Sequence, residues 1–346
     1  MTARATRVPR LILVDGFAGS GKSTTAQRLW LHLVGQGHQA SWCHEHERGH
    51  PIFAYEEVEE ILELAPRPFE DRILSNWTAL ARDGAGPSIR ILEGSFFQIT
   101  VGAMLAMNVS ARRIERTLLE IERTILQRGP HGGRTGELDP ALIYLFHRST
   151  RDGLLAIRHH RGEYWLNGMA AILARSRYGR RHRVRDVDGL IAFYEMQRTI
   201  VDAAFAKLAV RRIAIEISRG QWAHYLQRMA AFLNLGRLDP LTLTRAALLR
   251  HGGRYRGTTT GRECVVTTDR TSLYLQGPRE AREVMTPVQR LLPAGAGLFC
   301  VESLPIQLRF APGRGVARRM TVENRLLNGR VRDSAFIRCQ ERRPSC

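Results

Sequence analysis

Lysine is almost missing from this 346-residue chain: of 52 basic residues only Lys22 and Lys207 are lysines, and the other 50 are arginines. Arginine fills most solvated surface roles, so a lysine kept in such a background marks a task for a compact ammonium on a flexible stem. Long apolar runs are missing too. A bilayer-crossing helix needs about 20 apolar residues, yet Asp15 ends the run from Leu11 to Val14, and Asn108 and Arg112 close the one from Val101 to Met107. Arg4, Arg7 and Arg10 precede an apolar run of only four residues, too short for a secretory signal, so a cytoplasmic address and no membrane partner are expected. The five cysteines (Cys43, Cys264, Cys300, Cys339, Cys346) are odd in number and form no CxxC pair. That excludes a disulfide framework and a zinc ribbon and leaves reduced thiols.

What remains is the composition of a large globular protein, 44% apolar and 25% charged, with its charge unevenly placed. The first 120 residues carry 13 basic and 14 acidic groups; the other 226 carry 39 and 19, so the formal charge of +19 comes wholly from the back of the chain. A basic back half suits nucleic acid, an anionic ligand, or a merely arginine-rich solvated face. Without an interleaved aromatic and basic motif, nucleic acid stays open as a partner but is not the favoured one.

The densest chemical signal is Gly16-Phe17-Ala18-Gly19-Ser20-Gly21-Lys22-Ser23, a GxxxxGK[ST] match directly after Leu11-Ile12-Leu13-Val14. A strand that ends in a glycine loop and turns straight into a helix aims consecutive backbone N–H groups at an anion. In this pattern the backbone from Gly16 through Ser23 and Thr24 cradles a nucleoside triphosphate, Lys22 reaches its outer phosphates, and the Ser23 hydroxyl holds Mg²⁺.

Around that loop, short apolar runs alternate with helical patterns as far as about residue 235, which predicts a parallel sheet covered by helices. Strands are expected at Leu11 to Asp15, Ala40 to His44, Ser88 to Glu93, Ala141 to Phe146 and Arg212 to Ile217. Helices are expected at Gly21 to Gly35, Glu70 to Arg82, Phe96 to Asn108, Ala111 to Gln127, Arg151 to His159, Leu190 to Leu208 and Gln221 to Leu233. Gly129 to Gly133 reads as a loop, and the basic, Gly-containing stretch Arg175 to Arg185 as mobile or surface-exposed. Near Asp239-Pro240 the character changes, dividing the chain into 1–240 and 241–346. Alternating runs at 264–268, 272–275, 297–301, 306–310 and 319–322 then predict a small antiparallel sheet or barrel.

Four motifs stand in a telling order: VDGFAGSGKST, CHEHERGHP after the second strand, ILEGSFFQ at the end of the third, and LIYLFHRSTRDGLLAIRHHRGEYW. Together, over about residues 8 to 235, they resemble the P-loop small-molecule kinases typified by thymidylate kinase and the deoxynucleoside kinases. The resemblance implies a P-loop NTPase three-layer α/β sandwich with a five-stranded parallel sheet, outside which lies the small C-terminal antiparallel β-domain. It also implies ATP as phosphate donor, Mg²⁺ as cofactor and a small-molecule acceptor. Glu45, nearer the strand end than Glu47, takes the role of the carboxylate that accepts the proton of the attacking hydroxyl. Glu93 stands beside the metal, and Arg158 and Arg161 take the place of lid arginines. Where that group carries an arginine after the third strand this chain has Gly94, which argues against a thymidine or deoxynucleoside acceptor. The C-terminal piece loosely resembles the small β-domain appended to some penicillin-binding-protein-like serine hydrolases, which implies an accessory domain that covers the site, binds ligand or mediates a homodimer.

Several readings stay open. Strand alternation puts Glu45 and Glu47 on one side with Cys43, and His44 and His46 on the other. Cys43, His44, His46 and His50 are an alternative metal set. The acidic stretch Glu56, Glu57, Glu59, Glu60, Glu63, Glu70 and Asp71 is either a solvated helix face or the lining for a cationic acceptor such as an aminated sugar or basic peptide antibiotic. A nucleotide-switched binding protein and a purely structural loop remain as alternatives to catalysis. Ser218-Arg219-Gly220 does not separate ATP from GTP. Lys22→Ala is expected to abolish phosphoryl transfer and leave the fold intact.

Overall fold

The structure, a computed structural model, describes residues 7–53, 64–83, 88–126, 138–239, 241–277, 288–311, 315–326 and 334–339. It divides into two compact units, Met1–Leu238 and Asp239–Cys346. In the first, β1 (Leu11–Gly16), β2 (Ala40–Cys43), β3 (Ile89–Glu93), β4 (Pro140–Phe146) and β5 (Arg211–Glu216) form a parallel sheet in the order β2-β3-β1-β4-β5. Its helices are α1 (Lys22–Gly35), α2 (Pro66–Asp83), α3 (Thr100–Ala106), α4 (Ala111–Leu126), α5 (Thr150–Arg161), α6 (Glu163–Arg175), α7 (Arg177–His182), α8 (Val187–Lys207) and α9 (Trp222–Leu233). A π-helical stretch, Ser95–Ile99, leads into α3.

Strand β1 is buried along its whole length, which is why Leu11 to Val14 is an unbroken apolar run rather than an alternating one. Its successive side chains enter opposite cores. Leu11 and Leu13 join Phe69, Trp77, Phe97, Tyr144 and the inner faces of α4 and α8, while Ile12 and Val14 join Ala26 and Leu29 of α1 and Tyr225 and Met229 of α9. Helices on both faces of the sheet make the three-layer α/β fold expected from the sequence, with the glycine loop between β1 and α1 at the carboxyl ends of the strands. Among the described residues no helix is long and apolar enough to cross a membrane.

One expectation is refined and another needs correction. The stretch Arg175 to Arg185 is surface-exposed at its arginines, as expected, and is built around α7: Tyr178 and Gly179 are buried, and the Ser176 hydroxyl caps the helix by accepting from Gly179 N at 2.9 Å. Glu70 belongs neither to a solvated face nor to an acceptor lining, because its carboxylate ties α2 to α4 through Arg113 Nε at 2.8 Å and the Thr117 hydroxyl. Asp71 is exposed. Glu56 through Glu63 and the Gly129 to Gly133 loop lie outside the described residues.

The second unit opens with α10 (Arg245–His251), followed by β6 (Gly253–Gly257), β7 (Glu263–Thr268), β8 (Leu273–Gln276), β9 (Gln289–Gly295), β10 (Leu298–Val301), β11 (Ile306–Phe310), β12 (Arg319–Asn324) and β13 (Ala335–Arg338). All eight strands pair with their sequence neighbours, and β13 closes back onto β6 through Phe336↔Gly257 and Arg338↔Tyr255, so the unit is an antiparallel barrel. Tyr255, Phe299, Leu308, Phe310 and Met320 fill it, as expected for a barrel too small to hold an open lumen.

Candidate active site

The glycine loop is anchored from below and pressed from above. Phe17 drops into the core and meets Tyr144 and Tyr194 edge-on, at centroid distances of 6.3 and 6.1 Å. On the other side, α5 lies directly on Gly19: a Cβ there would sit 2.3 Å from Ile157 Cγ1, and Gly19 is held at φ +76, so only glycine fits. His147, just after β4, hydrogen-bonds the Gly19 backbone. The indole of Trp222, 38% exposed at the start of α9, packs its edge against Gly21. A half-open aromatic face therefore flanks the loop beside Ser218-Arg219-Gly220.

Asp15, the last polar residue before the loop, is missed by the motif. One carboxylate oxygen accepts from Gly16 N and Gln98 N, each at 2.9 Å; the other accepts from Phe96 N at 2.9 Å and Phe97 N at 2.8 Å. One buried side chain thus fixes the loop's first residue and the π-helical turn after β3, which carries Glu93. Burial pushes its carboxyl up to about 6, against the pull of those amides and Lys22. Asp15→Asn replaces one acceptor oxygen with an amide that faces N–H groups. The expected loss is on the order of 2–4 kcal/mol of unfolding free energy; a urea midpoint within error of the wild type contradicts this role.

Lys22, only 4% exposed, lies between two carboxylates. Its Nζ is 3.1 Å from Glu45 Oε2 and 3.6 Å from Glu93 Oε1. Burial works against the ammonium, but Glu45 and Glu93 outweigh it and hold Lys22 above the ordinary lysine range. The Ser23 hydroxyl donates to the same Glu93 Oε1 at 2.5 Å. Lys22, Ser23 and Glu93, inferred separately from two motifs, thus meet at one oxygen.

Glu45 reaches Lys22 by crossing Gly94. A Cβ at Gly94 would stand 2.5 Å from Glu45 Oε2 and 3.1 Å from Lys22 Cε, and the residue is at φ +64. The absence of a side chain at position 94 is thereby explained: Glu45 occupies the space. Burial raises the Glu45 carboxyl, yet Lys22, His46 and His44 bring it down to about 2. Glu93, fully buried, moves the opposite way, up to about 7, through desolvation and the neighbouring Glu45 charge against Lys22.

Hydrogen bonds from backbone amides fix the tautomers of His50 and His44. His50 Nδ1 accepts from Ile52 N and Phe53 N, so its proton sits on Nε2 and is donated to Ser95 Oγ at 3.1 Å; burial lowers His50 to about 3 and keeps it neutral. Ser95 then donates to Glu93 O at 3.0 Å. The pair is a brace for the turn and has no basic nitrogen to activate a nucleophile. His44 Nδ1 accepts from His46 N at 3.0 Å, leaving Nε2–H aimed at Glu93 Oε2 from 3.9 Å. Strand alternation failed here because β2 ends at Cys43 and a turn follows, closed by Glu47 N to His44 O and by His44 N to the Glu47 carboxylate. Glu45 therefore joins His44 and His46 around Lys22, and Glu47 folds back on its own turn. Among the described residues no group of three or more His, Cys, Asp or Glu is arranged to hold a metal, Cys43, His44, His46 and His50 included.

Arg158 and Arg161 are exposed on α5 and engaged with α6: Arg158 Nη1 is 3.7 Å from Glu163 Oε1, and Arg161 lies over the Trp165 ring at 5.2 Å. The helix that bears them touches the loop through Ile157 instead.

Sheet order, glycine loop and the lysine at the head of α1 define a P-loop α/β fold with an appended barrel. No protein-family profile and no curated protein matches the chain. Among solved structures, it is similar to the crystal structure of the YorR protein from Bacillus subtilis in complex with phosphorylated GDP, with 12% identity, 65% of this chain and 96% of that chain covered, and a TM-score of 0.37. A likeness of that degree says nothing of ligand or reaction.

Proposed function

We propose that this chain is an ATP- and Mg²⁺-dependent phosphotransferase that moves the γ-phosphate to a hydroxyl of a small molecule, nucleoside-like or a cationic metabolite or antibiotic. The observation that carries the reading is the convergence of Lys22 Nζ and Ser23 Oγ on Glu93 Oε1 at the base of the glycine loop. Glu93 Oε2 is buried and, among the described residues, has no hydrogen-bond partner; with the Ser23 hydroxyl it makes the oxygen-only donor set that suits Mg²⁺, which otherwise takes phosphate oxygens and water. Bound there, Mg²⁺ would neutralise charge on the transferring phosphates.

The chain's own groups account for the rest of the reaction. The loop's N–H groups and Lys22 hold the triphosphate, and Lys22, once turned to phosphate, releases Glu45. The acceptor oxygen forms its bond to the γ-phosphorus as the bond to the ADP oxygen breaks, and the hydroxyl proton passes to the freed Glu45 carboxylate, whose affinity for protons rises when Lys22 departs. Trp222 offers a ring face for the nucleobase. Two carboxylates and no arginine at position 94 favour a cationic acceptor over a standard nucleoside.

The test is acceptor-dependent ADP release with Mg-ATP across nucleosides, nucleotides and aminated sugars and antibiotics, with mass spectrometry of the product. Quenching of indole fluorescence by nucleotide provides a separate binding readout. Nucleotide binding without transfer to any acceptor would sink the enzymatic reading.

A further inference from the structure

The arginine-rich turn after α6 has no part in the chemistry above, and it is packed into the fold. Arg175, Arg177, Arg180, Arg181, Arg183 and Arg185 are all exposed, and among the described residues none has a carboxylate within ion-pair distance. Arg180 alone is tied down, to the Arg175 carbonyl. Between them, Tyr178 is buried edge-on against Phe193 at 5.1 Å, and a Cβ on Gly179 would meet the Leu173 carbonyl at 2.0 Å. Arg183 is held at φ +55, a conformation side chains resist. Arg177, Arg180 and Arg181 stand at i, i+3 and i+4 and share one helix face. Holding like charges this close without counter-charge disfavours the compact fold, so a solvated face alone is a poor reason for the arrangement.

Flat rings accompany the charge. His182 is exposed and stacks on Tyr178 at 4.1 Å with an interplanar angle of 23°. At the far end of α6, Tyr164 is 81% exposed, beside Arg161 over Trp165. Tyr164, Asn167, Ala171 and Arg175 are all exposed at spacings of three and four, a face about 17 Å long that joins the two ends. No other large apolar side chain is exposed between residues 163 and 185, so nothing suits insertion into a lipid surface.

We propose that this face of α6 and the arginine turn bind single-stranded nucleic acid, the guanidinium groups taking backbone phosphates and the His182 and Tyr164 rings taking bases. Guanidinium suits phosphate through paired N–H donors, and base stacking on aromatic rings is tolerant of sequence. The surface stands apart from the phosphotransfer reading and does not require it.

The experiment is fluorescence anisotropy of labelled single-stranded DNA and RNA of about 20 nucleotides, titrated with the full chain between about 50 and 200 mM salt. The wild type binds, and more weakly as salt rises. Arg177→Ala, Arg180→Ala and Arg181→Ala combined weaken binding by on the order of tenfold or more and flatten the log–log salt slope by about 2, with a melting temperature no lower than that of the wild type. His182→Ala weakens binding several-fold and leaves the slope alone. Ser23→Ala binds the strand like the wild type, so loss of phosphotransfer does not count against the surface. An absence of strand binding, a triple variant equal to the wild type, or tighter binding to vesicles of about one-third anionic lipid overturns the proposal.

Discussion

Lys22→Ala is expected to abolish acceptor-dependent ADP release and also to cost the nucleotide-free chain on the order of 3–5 kcal/mol of stability. The second effect departs from the view of a P-loop lysine as purely catalytic, under which the fold is untouched. Lys22 is buried with Glu45 at 3.1 Å and Glu93 at 3.6 Å, and truncation leaves two facing carboxylates with no cation between them. Urea unfolding measures the loss. Adding Glu45→Gln to Lys22→Ala removes one orphaned charge and is expected to recover stability without activity. If the single variant is as stable as the wild type, the ion triad described here does not hold the site together.

Glu93→Gln is expected to separate stability from function in the other direction. The folded-state carboxyl is pushed up to about 7 from the ordinary 4.5, so the fold favours its protonated form. Its contribution to stability is therefore fully present below about pH 4.5 and lost as pH rises through 7. Gln imitates the protonated state at every pH. The nucleotide-free variant is expected to match the wild type near pH 5 and to exceed it above pH 7, by on the order of 2–3 kcal/mol, while phosphotransfer falls by two or more orders of magnitude for want of a carboxylate at Ser23. Unfolding free energies measured from pH 5 to 8 check this. Parallel curves for the two proteins would mean that Glu93 ionises normally in the fold.

The parallel sheet and the glycine loop were legible in the sequence because both rest on local signals. Leu11 to Val14 of β1 and Ala141 to Phe146 of β4 are unbroken apolar runs, and Gly16 to Ser23 is a spacing that only a phosphate-wrapping turn needs. Lys22 stood out against a lysine-poor background. What could not be read was contact across sequence distance. Gly94 read as a missing cation, while its cause lies 49 residues back in Glu45, whose path to Lys22 requires a bare Cα. Asp15 looked like the end of an apolar run, since four backbone amides from two segments leave no side-chain trace. The short α7 hid behind six arginines because charge masked one buried tyrosine. In the barrel, β6, β9 and β13 escaped notice: arginine, proline and glycine interrupt their alternation, and they are strands by virtue of their partners.

The pairing of β13 with β6 has a further consequence. A sheet with open sides exposes rows of unsatisfied N–H and C=O groups to which another chain can add a strand. Here those rows satisfy each other around the ring, so among the described residues the eight strands present no open edge. An incoming peptide cannot extend them, and they cannot stack with their own copies along an edge. A partner that meets these strands meets their side chains and the loops between them.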